Sequence, residues 1–101
     1  MKLDLIREAN KLTVKIDGQL DTVTTPELEQ ELQNSMDESV TELVFDLEKM
    51  GYTSSAGLRV FLFYYQNLNE EGHGTMRLIH VNEMVMDVLK MTGLDGILPI
   101  E

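Results

Sequence analysis

The sequence predicts one mixed α/β domain: a sheet of four to five strands that opens with a hairpin and continues in parallel, with helices packed against it. Three observations predict this. Apolar residues first alternate at the two-residue period of a half-buried strand, and later recur at three- and four-residue spacing, with the two patterns taking turns. At 101 residues and 43% hydrophobic content the chain can bury one core but not a second. No linker, repeat or low-complexity tract interrupts residues 1–101, so the whole chain is expected to form a single domain.

Leu3 and Leu5, then Leu12, Val14 and Ile16, alternate with polar residues, and Ala9-Asn10 between them suits a tight turn. Thr25-Pro26-Glu27 signals a helix start. Thr25 is the expected cap, proline loses nothing at the first helical position, and Glu27 and Glu29 favour the positive end of the dipole. Leu28, Leu32 and Met36 mark its buried stripe. The apolar run Leu43 to Leu47 suits a strand with parallel neighbours. From Ser55 the period turns helical through Leu58, Phe61, Leu62, Tyr65 and Leu68, until Gly72-His73-Gly74 closes the segment. Thr75 to His80 is a fourth strand. Val85, Val88, Leu89 and Thr92 line the inner face of a helix closed by Gly93, and Leu94, Ile97, Leu98 and Ile100 fold back as a last short element. Strands alternating with helices in this order require right-handed crossovers between parallel strands.

A formal charge of −10 and a pI near 4.5 repel phosphate backbones and anionic lipid, so neither nucleic acid nor membrane is an expected partner. The eight basic residues are dispersed and form no stripe. A protein with a basic or mixed face is easier to accommodate, although the acidity also serves solubility. No cysteine is present, which excludes disulfides and thiolate metal sites. The opening Met1-Lys2-Leu3-Asp4 carries charges and no apolar run, so neither a signal peptide nor a span is expected, and the cytoplasm is the expected compartment.

In such a sheet the loops after the parallel strands gather on one edge, where ligands and partners meet the fold. Two loops stand out there: Gly18 to Pro26, and Lys49 to Leu58. Ser54 or Ser55 should start the helix of the second loop, with the N–H groups of Ala56, Gly57 and Leu58 unpaired and little bulk around them. A phosphate on either hydroxyl would meet free donors and a favourable dipole, and would change the surface without melting the helix. The plain alternative is that the serine only caps.

Gly18-x-Leu20-Asp21-x-x-Thr24-x-Pro26-x-Leu28, then Phe45-Asp46-Leu47 with Tyr52-x-Ser54-Ser55-Ala56-Gly57-Leu58, and Met91-Thr92-Gly93-Leu94 resemble the STAS domain family in order and spacing across nearly the whole chain. The resemblance implies a partner-switching protein, an anti-sigma factor antagonist. Unmodified, such a protein binds an anti-sigma factor that is also a serine kinase, and so frees a sigma factor. Phosphorylation weakens the complex and a protein phosphatase resets it. Aligned on Gly57-Leu58, the family's phosphoserine falls on Ser55. The family often has Asp-Ser where this chain has Ser54-Ser55, so Ser54 is the rival acceptor. The resemblance also places Asp21, Thr22 and Thr24 at the partner interface together with Ser54, Ser55, Ala56 and Gly57. Asp21 can equally build an Asx-turn.

On the helix from Ser55, Val60, Phe63 and Tyr64 lie opposite the core stripe. Either they meet a partner, or the C-terminal helix covers them. A hydrolase would need Asp21, Ser55 and His80 to converge, yet the serine lacks the Gly-x-Ser-x-Gly elbow and the domain is small for a deep pocket. His80 is expected as a half-buried strand-end residue and His73 as a loop residue. Asp37, Glu38 and Glu42, or Glu70, Glu71 and His73, read as solvated surface rather than metal ligands. No phosphate-binding glycine loop with a lysine is present, so the chain is expected to be a kinase substrate, with no catalytic residue and no cofactor of its own. STAS-like domains also serve as constitutive scaffolds in lipid-transport or stress-signalling assemblies, where no phosphate is needed.

Overall fold

A computed structural model describes all residues, 1–101. Strand β1 (Lys2–Glu8) turns through Ala9-Asn10 into β2 (Lys11–Leu20), followed by α1 (Thr25–Ser35), β3 (Glu42–Thr53) and α2 (Ser55–Tyr65). A single π turn, Gln66–Glu70, extends α2 before β4 (Thr75–Ile79), α3 (Glu83–Thr92) and a 3-10 turn, Leu94–Gly96. The sheet runs in the order β1-β2-β3-β4, with β1 antiparallel to β2 and the later pairs parallel. The expected hairpin and parallel continuation are therefore present. Beyond β4 a fifth position exists only as one parallel bridge, Leu78 to Ile100, held by the Leu78 N–H to Pro99 and the Glu101 N–H to Leu78.

The two faces of the sheet differ as strand alternation requires. Leu12, Val14 and Ile16 of β2 point one way with Leu43, Phe45 and Leu47 of β3, and join Leu28, Leu32, Leu58, Phe61, Val85 and Leu89 from the helices in one core. Phe45 and Phe61 meet edge to face, ring centres 4.9 Å apart, the arrangement their ring quadrupoles prefer. The opposite face is a lattice of cross-strand charges: Asp4 opposite Lys15 opposite Asp46, and Glu8 opposite Lys11 opposite Glu42. Arg77 joins this lattice at 2.6 Å from Glu42 and reaches Glu101 at 2.8 Å.

Three expectations change. Thr25 does not cap α1. It lies inside the first turn, its side chain buried and its hydroxyl without a partner, while Asp21 takes the loop N–H groups instead. The fourth strand stops at Ile79, because His80 adopts a left-handed backbone (φ 57°) that ends the ladder. His80 is also not half inside the core; it stands exposed on the charged face. Gly93 does close α3 as expected, at φ 78°, where glycine carries no steric cost.

Candidate functional site

The length mismatch between strands creates the site. Strand β1 pairs with β2 only as far as Asp17, and β4 pairs with β3 only as far as Asp46, but β2 and β3 run on together until Leu20 meets Thr53. The segments expected as loops, Gly18 to Pro26 and Lys49 to Leu58, are thus strand as far as Leu20 and Thr53, because their backbones pair with each other, and only the remainders from Asp21 and Ser54 leave the tip side by side. The Ser54 N–H donates to the Leu20 carbonyl at 2.7 Å and fixes their relation.

Asp21 organises the first loop entirely through Oδ1, which accepts the N–H groups of Val23 and Thr24 at 2.9 Å each and lies 3.1 Å from the Thr24 hydroxyl. Thr24 Oγ1 in turn accepts the Asp21 N–H and donates to the Gln19 carbonyl at 2.7 Å. Donation from the Thr24 and Val23 backbone holds the Asp21 carboxyl below its ordinary value of 3.8, because those bonds favour the charged form. Asp21 is thus an Asx-turn residue and a fixed surface anion at once. Thr22 and Val23 form the exposed tip, Val23 at 77% exposure.

The second loop delivers Ser54 as the N-cap of α2 by backbone position, with an extended ψ of 175°. Its side chain makes no cap bond, and its hydroxyl is fully covered without a partner. Ser55, the first residue of the helix, is exposed. Two adjacent serines therefore occupy opposite situations, and only Ser55 offers its hydroxyl to solvent. Ala56 is half-buried between them and the groove described below.

Gly57 and Val60, expected on the partner surface, lie inside the protein. Gly57 is buried, and a Cβ there would sit 2.9 Å from Leu20 Cβ and still closer to Thr53 Oγ1, so its missing side chain is what lets α2 press onto the strand tip. Val60 is 6% exposed and belongs to the core. Phe63 remains 58% exposed and packs edge to face on half-buried Tyr64, ring centres 5.1 Å apart. The C-terminal helix does not cover them. They line a groove of about 460 Å³ between α1 and α2, with Thr25, Glu29, Ala56 and Arg59 on its walls. Burial, reinforced by the Glu29 charge, pushes the Tyr64 hydroxyl up from its ordinary value, so it stays protonated.

His80 does not join Asp21 and Ser55. It sits at the level of Asp46, with Nδ1 2.9 Å from Asp46 Oδ1, and the seven residue steps of β3 from Asp46 to Thr53 span roughly 20 Å. Burial pushes the Asp46 carboxyl up, but the His80 hydrogen bond, the Glu48 N–H and the charges of His80 and Lys15 outweigh it and leave it below 3.8. The same bond and charge raise His80 above 6.5. Glu48 completes a group whose ligand atoms lie within 4.8 Å of one another. Sequence reasoning missed this group because Asp46 and His80 are 34 positions apart and only the β3–β4 register joins them. It also missed exposed Tyr52, which the register shift at Gly51 turns outward: Gly18 pairs with Met50 and Gln19 with Tyr52, so the regular alternation breaks there.

The serine at the helix start, the anchored acidic loop and the groove between α1 and α2 lie at one end of the β2–β3 extension, and the histidine is held elsewhere. The model of the STAS domain matches residues 2–101, and the chain belongs to that family. An anti-sigma F factor antagonist of Paenibacillus polymyxa is 29% identical over 101 residues, covering 99% of this chain and 86% of that protein. Two solved structures share the fold. The anti-sigma factor antagonist SpoIIAA in its unphosphorylated form superposes with a TM-score of 0.81 at 17% identity, over 99% of this chain and 88% of that one. The phosphorylated form of the Bacillus cell fate determinant SpoIIAA gives 0.75 at 16% identity, over 99% and 91%. No helix here is long and apolar enough to cross a membrane.

Proposed function

We propose that this chain is an anti-sigma factor antagonist that works in the cytoplasm as a phosphorylation-gated switch. Unmodified, it docks on an anti-sigma factor that is also a serine kinase, and a sigma factor is released. The kinase then transfers the γ-phosphoryl group of ATP to Ser55 Oγ; the hydroxyl proton is lost, ADP leaves, and the complex weakens. A protein phosphatase removes the group. The observation that carries this reading is the exposure of Ser55 at the uncapped start of α2, beside the Asp21 loop. The name of the Paenibacillus relative and the two solved forms of SpoIIAA support it.

The docking surface in this reading consists of Asp21, Thr22, Thr24, Ser55 and Ala56, continued by Phe63 and Tyr64 along the groove. Ser54, Gly57 and Val60 shape that surface from beneath. Adding about −1.5 to −2 charge at Ser55 places an anion next to Asp21. A partner that accepts one carboxylate then faces two like charges, and repulsion rather than refolding separates the pair. Incubation with the cognate kinase and ATP, followed by peptide mass spectrometry, is expected to place the phosphate on Ser55 alone. A phosphate on Ser54 would overturn the assignment. No phosphate at all would favour a constitutive scaffold.

A further inference from the structure

We propose that Arg59 is the built-in counter-ion of a phosphate on Ser55, holding it against the protein's own helix. The inference rests on Ser55 being the modified residue. Ser55 and Arg59 are four positions apart on α2, so their side chains share one face a single turn apart, and both are exposed. The acidic member would be N-terminal to the basic one, which is the favourable order for such pairs. Arg59 is also uncommitted. Among the three arginines, Arg7 is bonded to Ala9 and Ser39, and Arg77 to Glu42 and Glu101, while Arg59 holds no partner.

The groove supplies an independent observation. Arg59 lines it together with Thr25, which is 3% exposed and whose covered hydroxyl has no partner, so no protein group engages either residue there. A guanidinium drawn toward Ser55 leaves that groove with Glu29 as its only charged wall residue. Phosphorylation therefore acts twice: it adds an anion at the helix mouth and withdraws the cation from the groove behind it. A planar guanidinium can take two phosphate oxygens at once, which a lysine cannot match in geometry.

The test installs phosphoserine at position 55 during translation, so that no kinase is involved, and follows the phosphorus NMR shift through a pH titration. The second ionisation of the phosphate is expected about half a pH unit lower in the native protein than in Arg59→Gln, since a cation one turn away favours the dianion. The difference should close at about 1 M salt, where exposed charges are screened. Circular dichroism should be the same for both proteins, because Arg59 is exposed. Equal ionisation in the two proteins, or a difference that persists in salt, would overturn the clamp while leaving the functional reading intact. Failure of a kinase to modify Ser55 would count against that reading, and with it the use of the clamp, while the phosphoserine titration would still report whether Arg59 pairs with a phosphate there.

Discussion

The starts of α2 and α3 face the same physical demand and answer it in opposite ways. Each must provide for N–H groups that no preceding turn can bond. At α3, the Asn82 side chain accepts the Val85 N–H at 2.9 Å and donates to the Met50 carbonyl at 2.7 Å, so the end is closed and tied to the sheet. At α2, Ser54 occupies the same cap position, yet its hydroxyl bonds nothing. The difference teaches where stability has been left out. Helix α2 is seated on the strand tip by Gly57 against Leu20 rather than by a side-chain cap bond, and its start is left without one.

Substitution sharpens the contrast, beginning with the strongest effect. Gly57→Val forces atoms into Leu20 and Thr53 and is expected to lower unfolding free energy by about 3 kcal/mol in urea titration. A variant as stable as the parent would mean that α2 is anchored elsewhere. Asn82→Ala removes a cap and strands the Met50 carbonyl, at roughly 2 kcal/mol. Ser54→Ala in the same assay should stay within about 0.5 kcal/mol, because no cap bond is lost. Equal costs for the two would erase the distinction.

The approach to each helix differs as well, and pH tests that. The loop entering α3 is pinned by His80 on Asp46. His80 is raised, so its contribution is complete below its unfolded value of 6.5 and is lost as pH climbs through the folded one. Asp46 is lowered, so its contribution is complete above 3.8 and is lost as pH falls through the folded value. The pair therefore works best between those limits. Imidazole NMR should give His80 a midpoint above 6.5 that falls back in Asp46→Asn, and an unmoved midpoint would refute the coupling.

Much of this was legible in the residues. The spacing of apolar residues and the turn and cap signals located the strands and helices but not their lengths, since Gly18 to Leu20 and Lys49 to Thr53 read as loops and are paired strand. What was not legible depended on register and depth. Local spacing placed Val60 on the face opposite the core stripe, but α1 and α2 approach closely enough at that point to bury it while leaving Phe63 out. Thr25 read as a cap because threonine precedes proline there, yet Asp21, four residues earlier, had already claimed the loop N–H groups. The separation of Ser54 from Ser55 follows from one hydrogen bond to Leu20 that adjacency in sequence does not reveal.

The switch itself is tested most directly by binding. Titration of the anti-sigma factor kinase with the parent protein, Ser55→Ala and Ser55→Asp should give matching affinities for the first two and a loss of at least about tenfold for the third, which corresponds to roughly 1.4 kcal/mol. Circular dichroism should be the same for all three. Three indistinguishable affinities would contradict charge gating at the open end of α2.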